Sequence, residues 1–442
     1  MHITEILLDA LERGKVSPEL VIEILTEHVP TTCAACSEGI AAHQARLGRR
    51  RGGSAVEARD PVARLARRLA WGERQLREEV KIARRQVREI VRLDPAKRCG
   101  KIRGAHSRYQ GPLFGALLLD EARRKIPAEP AEALALAEAA LVSASKRTRR
   151  HQPDPEVQAA ALAVGGNARR AVGRLREAEA DLEEALRLLD APGLRDPALP
   201  AELYSYLGSL RKDQGRLDEA AGHLHRSRIL YGLLGDPEKT ARALLTLSAV
   251  HFRAHAFDAA VESVEEALEL LPLDAEAWLR AYAHYSRAFY LHGRGEVDRA
   301  EAELAAHTEL LAAGGGQLAQ LVVWLRARIA WSRGDLRAAE RLYTEARRRA
   351  QERGIPFDSS LISLELALVH LAQGQTGRVK KLAAEALAVF AEQEVEREIR
   401  AALALVEEAA RRDALTRELV ERAIAALEGA RHARPAPGRE PS

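Results

Sequence analysis

The sequence predicts an all-α protein, an array of antiparallel helix pairs, and three observations carry that prediction. Between Ala201 and Pro272 one pattern is written twice, 40 residues apart. Tyr204, Leu207, Gly208, Arg211, Gly215, Ala220 and Leu224 hold the offsets that Leu244, Leu247, Ser248, His251, His255, Ala260 and Val264 fill in the second copy. Bulky residues recur at helical spacing, small ones sit where two helices must approach closely, and Gly215 falls at the turn between them. Composition agrees: alanine, leucine, arginine and glutamate dominate, and only 18 of 442 residues are aromatic, which suits helix-on-helix packing rather than a β core. Third, the small residue and the glycine five positions before it return along two thirds of the chain. A lone hairpin of this kind cannot bury its apolar face, so the copies must stack on one another.

The N-terminal stretch (residues 1–47) opens with a short helix carrying Ile3, Ile6, Leu7 and Leu11. Ser17-Pro18-Glu19 then reads as an N-cap with proline at the first helical position. The second helix carries Leu20, Val21, Ile24 and Leu25 to His28, and Cys33-x-x-Cys36 follows. Two thiolates in such a turn can reach one ion, and an imidazole just upstream can supply a third ligand, the N and S donor set of structural zinc. This run resembles the zinc-binding anti-sigma-factor domain, a small helical module held together by zinc. The resemblance assigns His28, Cys33 and Cys36 as ligands and His2 as the N-terminal fourth, with His43 a rival. Four residues separate His28 from Cys33 where that family has three. The alternative is that Cys33 and Cys36 are small buried residues and His28 caps a helix.

Residues 48–60 are a linker rich in glycine and arginine. Residues 61–110 predict a helix with one apolar stripe (Leu69, Leu76, Val80, Ala83, Val87, Ile90) and one cationic face. Arg46 to Arg108 hold 20 Lys and Arg against 7 Asp and Glu, whereas the remaining residues hold 48 against 57, so the net charge of +4 conceals one basic segment on a mildly acidic chain. That segment either meets nucleic acid or an acidic surface, or packs on the first helix pair with its arginines solvated. The dearth of aromatic residues for base stacking favours packing. Cys99 has cationic neighbours of the kind that can lower a thiol pKa, but no base stands near it in the sequence, so it is a weak candidate for a reactive cysteine.

Residues 111–394 read as seven units starting near 114, 159, 201, 241, 281, 320 and 360. Their small residues are Ala133, Ala178, Ala220, Ala260, Ala300, Ala339 and Val379; the turn residues are Gly173, Gly215, Gly295, Gly334 and Gly374, with Ala128 and His255 substituting. The pattern resembles the tetratricopeptide repeat (TPR). That resemblance implies a right-handed superhelix whose concave groove, lined by the first helix of each unit, takes a protein or peptide. The residues expected to face it are Asn167 and Arg170; Tyr206; Arg242 and Phe252; Tyr282, Tyr285 and Phe289; and Trp324, Arg328 and Trp331. Aromatic and arginine side chains anchor interfaces. The same rings could equally be core. Residues 395–431 read as a helical cap and 432–442 as a disordered tail. As a whole, the chain resembles a group of bacterial TPR proteins, common in acidobacteria, that carry an anti-sigma-like zinc module.

No phosphate loop, His-Glu-x-x-His or Gly-x-Ser-x-Gly elbow occurs, no run of 18 apolar residues is present, and the N-terminus lacks a basic, then apolar, leader. The expectation is a cytoplasmic, non-enzymatic interaction scaffold with a regulatory role, binding a protein or peptide in its groove, with the zinc module as a second docking site. The alternative is a transcription regulator, acting by sequestering a sigma factor or by contacting nucleic acid through the basic segment.

Overall fold

The computed structural model describes residues 77–105, 108–109, 111–146, 153–189, 196–392 and 417–433. The proposed zinc ligands His2, His28, Cys33 and Cys36, their rival His43 and the linker 48–60 lie outside them. The chain divides into two units, 1–82 and 83–442, and the helix pairs belong to the second.

A helix over 77–91 (α1) leads into α2 (Pro95–Gly104). Seven helix pairs follow, each made of a first helix, A, and a second, B. They are α3 (Pro112–Lys125) with α4 (Pro130–Ala144), α5 (Pro155–Ala171) with α6 (Leu175–Leu188), and α7 (Ala198–Asp213) with α8 (Leu217–Leu233). Next come α9 (Pro237–Arg253) with α10 (Phe257–Leu270), and α11 (Ala277–Gly293) with a broken partner, α12 (Val297–Ala306) and α13 (Thr308–Ala313). The last are α14 (Gly315–Ser332) with α15 (Leu336–Glu352) and α16 (Pro356–Ala372) with α17 (Thr376–Glu392), and α18 (Arg417–Ala433) closes the described chain, two residues into the stretch read as tail. No strand occurs among the described residues. The fold is the all-α superhelical repeat that the sequence predicts.

Local chemistry sets the helix boundaries. Proline, whose missing N–H costs nothing at a helix start, opens α2, α3, α4, α5, α9 and α16. Asp94, Asp154 and Asp236 cap α2, α5 and α9 by accepting from first-turn N–H groups. The turn between A and B is one motif used six times. Gly173, Gly215, Gly295, Gly334 and Gly374 take φ between 73° and 89°, and His255 takes 57°. In each, the next residue donates its N–H back to a carbonyl in the last turn of A, at 2.9–3.0 Å. A histidine carries a left-handed penalty there that glycine does not, so His255→Gly is expected to stabilise the fourth pair by roughly 0.5–1 kcal/mol, read as a higher urea midpoint. The first pair turns differently, without a left-handed residue: the amides of Ala128 and Glu129 donate to Lys125 O.

The seven aligned small residues are all buried: Ala133, Ala178, Ala220, Ala260, Ala300 and Ala339 at 0% exposure and Val379 at 1%. Against two of them sit glycines of the A helices, Gly166 beside the Ala178 carbonyl and Gly208 beside the Ala220 carbonyl, which is how B comes within van der Waals reach of A in those pairs. Each A helix also packs on the B helix before it. The core is therefore a succession of clusters along the array rather than one nucleus.

The described part of the basic segment packs as its apolar stripe predicts. Ala83, Val87 and Ile90 are buried against Phe114, Leu118 and Leu136 of the first pair, and Arg84, Arg85, Arg88 and Arg92 are exposed. Arg98 is the exception, at 2% exposure. Its guanidinium donates to the carbonyls of Ile90, Val91 and Leu93 and pairs with Glu132 at 2.6 Å, tying α1 and α2 to α4.

Candidate functional site

All eleven residues expected to face the groove lie on A helices, and the structure joins them into two regions. On α11, Trp278, Tyr282, Tyr285 and Phe289 follow one another at four, three and four residues, which sets them along one helix face. Their rings run on continuously. Trp278 stacks on Tyr282 at 5.1 Å and 5°, Tyr282 meets Tyr285 at 6.4 Å, and Tyr285 stacks on Phe289 at 6.0 Å. Phe289 also touches Phe252 of α9 at 4.8 Å. The ladder ends on a cation: the Arg328 guanidinium of α14 lies 5.8 Å from the Phe289 ring and 4.9 Å from that of Trp324. The rings are not uniformly open. Trp324 and Tyr285 are buried, at 3% and 9% exposure, and belong to the core, whereas Tyr282, Phe289, Phe252 and Trp331 are half-buried. Trp278, which sequence reasoning passed over, carried a signal: it stands four residues before Tyr282.

The second region is polar. Arg170 of α5 donates to Asn167 Oδ1 at 2.9 Å and pairs at 2.6 Å with Asp213 of α7, whose side chain is fully buried. Lys212 lies 3.4 Å from the same carboxylate, and Arg253 of α9 donates to the Lys212 carbonyl. Asn167 is buried and held by this network. Tyr206 donates to Glu202 at 2.7 Å, and Glu202 takes a two-point bond from Arg123 of α3. Arg242 is half-exposed between Glu238 and Glu276, at 2.9 and 3.2 Å. These bonds hold polar side chains in defined positions along consecutive A helices, a pre-organised surface.

The last A helices carry a further element. Arg328 reaches both Glu365 of α16 and Glu428 of α18, at 2.5 Å each, and Trp324 Nε1 donates to Glu365 at 2.7 Å. Arg417 of α18 lies 5.6 Å from the Trp331 ring. Glu365 and Glu428 escaped sequence reasoning because nothing in a period of about 40 residues links position 328 to position 428.

Two other groups could bear chemistry. His284 of α11, Glu303 of α12 and His307, at the break before α13, bring ligand-type atoms within 4.8 Å of one another, with the two imidazoles stacked at 3.6 Å. Glu303 already holds His284 at 2.7 Å and also Arg287, whose positive charge opposes a metal ion in the same place. Burial opposes the charge on Glu303, but the hydrogen bonds from His284 and Arg287 outweigh it and hold the pKa at about 2. A depressed carboxylate stabilises above its ordinary range and loses that contribution as pH falls towards 2. Glu303→Gln is therefore expected to cost about 1–3 kcal/mol at pH 7, a cost that shrinks below the ordinary carboxylate range and disappears only as pH falls through about 2, read as hydrogen exchange of α11 and α12. Cys99 corrects the sequence reading. Burial raises its thiol pKa and Glu138 raises it further, against the smaller opposing effects of Arg103 and Arg98, so its cationic neighbours do not activate it.

No helix among the described residues is long and apolar enough to cross a membrane. No curated protein matches the sequence. Solved structures do share the fold. They include a Rap protein complexed with competence and sporulation factor (15% identical, TM-score 0.56, covering 72% of this chain and 87% of that one). The apo form of RapI is 11% identical at TM-score 0.52, covering 71% and 86%. A signal transduction ATPase with numerous domains and a tetratricopeptide repeat sensor, from Pyrococcus horikoshii, is 14% identical at TM-score 0.50, covering 89% and 57%. Helical repeats of this type mediate protein–protein interaction. The family model for the tetratricopeptide repeat matches residues 199–272, the stretch in which the 40-residue pattern is written twice.

Proposed function

We propose that this chain is a non-enzymatic, regulatory interaction scaffold that takes a protein or peptide partner on the A-helix side of its array. The observation that carries the reading is the ladder Trp278–Tyr282–Tyr285–Phe289 ending on Arg328, because aromatic rings with an adjacent guanidinium supply the contact area and directed charge of interface anchors. Two neighbours of like fold lend support: one was solved with a factor bound to it, and in another the repeats are a sensor. The test uses the full chain as bait in an extract of the native host. Tyr282→Ala and Arg242→Glu are each expected to reduce capture of the partner at least ten-fold without changing helicity by circular dichroism. Capture undiminished in both variants would overturn the reading.

The N-terminal stretch serves as a second docking module held by zinc, with His28, Cys33, Cys36 and His2 as ligands, all outside the described residues. The expected result is one zinc per chain by elemental analysis of protein purified without chelator, lost in Cys33→Ser and in Cys36→Ser while the array keeps its helicity. Metal-free wild-type protein would sink this part.

A further inference from the structure

The A-helix side is not empty at its C-terminal end. Along the array every A helix packs on the B helix before it, but α18 does not lie on α17 in this way; it packs on α16, the A helix of the seventh pair, and reaches α7, the A helix of the third. α16 is also buried more completely than other A helices. The A helices α11 and α14 alternate buried with half-buried residues, whereas every residue of α16 from Phe357 to His370 is buried. Val420, Ala423 and Ile424 form the apolar face of α18 and enter the same core as Trp324, Tyr343 and Leu361. One turn beyond Ile424, Glu428 meets Arg328.

We propose that α18 is a resident occupant of the A-helix face, and that the partner proposed above, on which this inference rests, presents an amphipathic helix of the same pattern and displaces it. That helix is apolar over two adjacent turns and acidic one turn later.

Two features make α18 displaceable. Arg328 keeps Glu365 and the Trp324 ring when Glu428 leaves, so detachment strands no buried charge on the array. One flank of α18 is also uncovered. An open groove of about 250 Å³ runs beside it, lined by Trp331, Tyr343, Leu368 and the charged Arg328 and Glu365 on the array, with the exposed Ala425 of α18 on its rim. A competing helix with a larger apolar residue in place of Ala425 would cover the apolar part of that groove and gain contacts that α18 lacks. Charge points the same way, because Arg170, Lys212 and Arg253 gather round the buried Asp213 further along the A helices and favour an acidic partner.

The test uses the full chain and a fluorescein-labelled synthetic peptide of residues 417–433 carrying Ala425→Leu, read by fluorescence anisotropy. In one arm α18 is loosened in the full chain by Glu428→Arg; in a second, milder arm by Glu428→Gln. Hydrogen exchange in α5 to α16 verifies that the array remains folded. The expected result is peptide affinity at least ten-fold higher in the Glu428→Arg chain than in wild type, with Glu428→Gln intermediate. The unsubstituted peptide should bind several-fold more weakly than the Ala425→Leu peptide, and a peptide carrying Glu428→Lys at least ten-fold more weakly. Equal affinity for wild type and both variants, or no binding to a folded Glu428→Arg chain, would overturn the proposal. Either failure, with partner capture still sensitive to Tyr282 and Arg242, would sink the resident-helix inference alone; loss of that sensitivity would sink the binding face itself.

Discussion

Replacing Arg328 with methionine is expected to destabilise the last two helix pairs by roughly 3 kcal/mol, one of the largest effects of any single substitution on the A-helix side. Methionine keeps much of the apolar stem over Trp324 but removes the charge. Glu365 is 6% exposed and would lose its guanidinium partner while keeping the Trp324 Nε1 donor. An uncompensated buried carboxylate is costly, whereas a matched apolar pair is not, so Arg328→Met with Glu365→Leu should recover most of the loss. In a stacked array each pair touches only its neighbours, which confines the damage. Hydrogen exchange should therefore quicken about 100-fold in α14 to α16 and stay unchanged in α5 to α8. Unaltered protection in α14 would mean that the charge network contributes nothing measurable.

The second large effect is steric. A Cβ at Gly208 would stand 2.5 Å from Leu224 Cγ and 3.2 Å from the Ala220 carbonyl oxygen, so any side chain there must displace Leu224 or part α7 from α8. Gly208→Val must push α8 away from its partner, at a cost of about 3 kcal/mol. The milder Gly208→Ala should be partly rescued by Leu224→Ala, since removing the obstructing side chain makes room for the new methyl while leaving a small cavity. Urea titration of the three variants checks this. A Gly208→Val chain as stable as wild type would refute the close approach of the two helices.

These effects mark what the sequence discloses. The packing of Ala220 under Gly208, repeated with Ala178 under Gly166, is legible because steric need imposes the same small residues at the same offset in successive pairs. Turn chemistry is legible for the same reason, and His255 could be read as a turn residue from its place in the pattern although its type argues against it. What escaped is whatever the repeat does not impose. The break at His307 lies beside the local network around Glu303 and has no counterpart in the other pairs of the repeat. Arg98 is one cation among 20 in its segment and nothing in composition marks it as buried. The contact of Arg328 with Glu428 spans 100 residues, so no local period reports it. The aromatic residues lie on the A helices, but spacing does not separate Trp324 and Tyr285, which are buried, from Tyr282 and Phe289, which are half-buried, because that division depends on which neighbours lie over them.

The most direct test of the binding face is crosslinking mass spectrometry on the full chain with its partner from the native host, mapping each crosslink to a helix. The account predicts crosslinks concentrated on the A helices α9, α11 and α14, together with reduced protection of α18. Crosslinks confined to the B helices α8, α10 and α15, with α18 as protected as in the free chain, would contradict it.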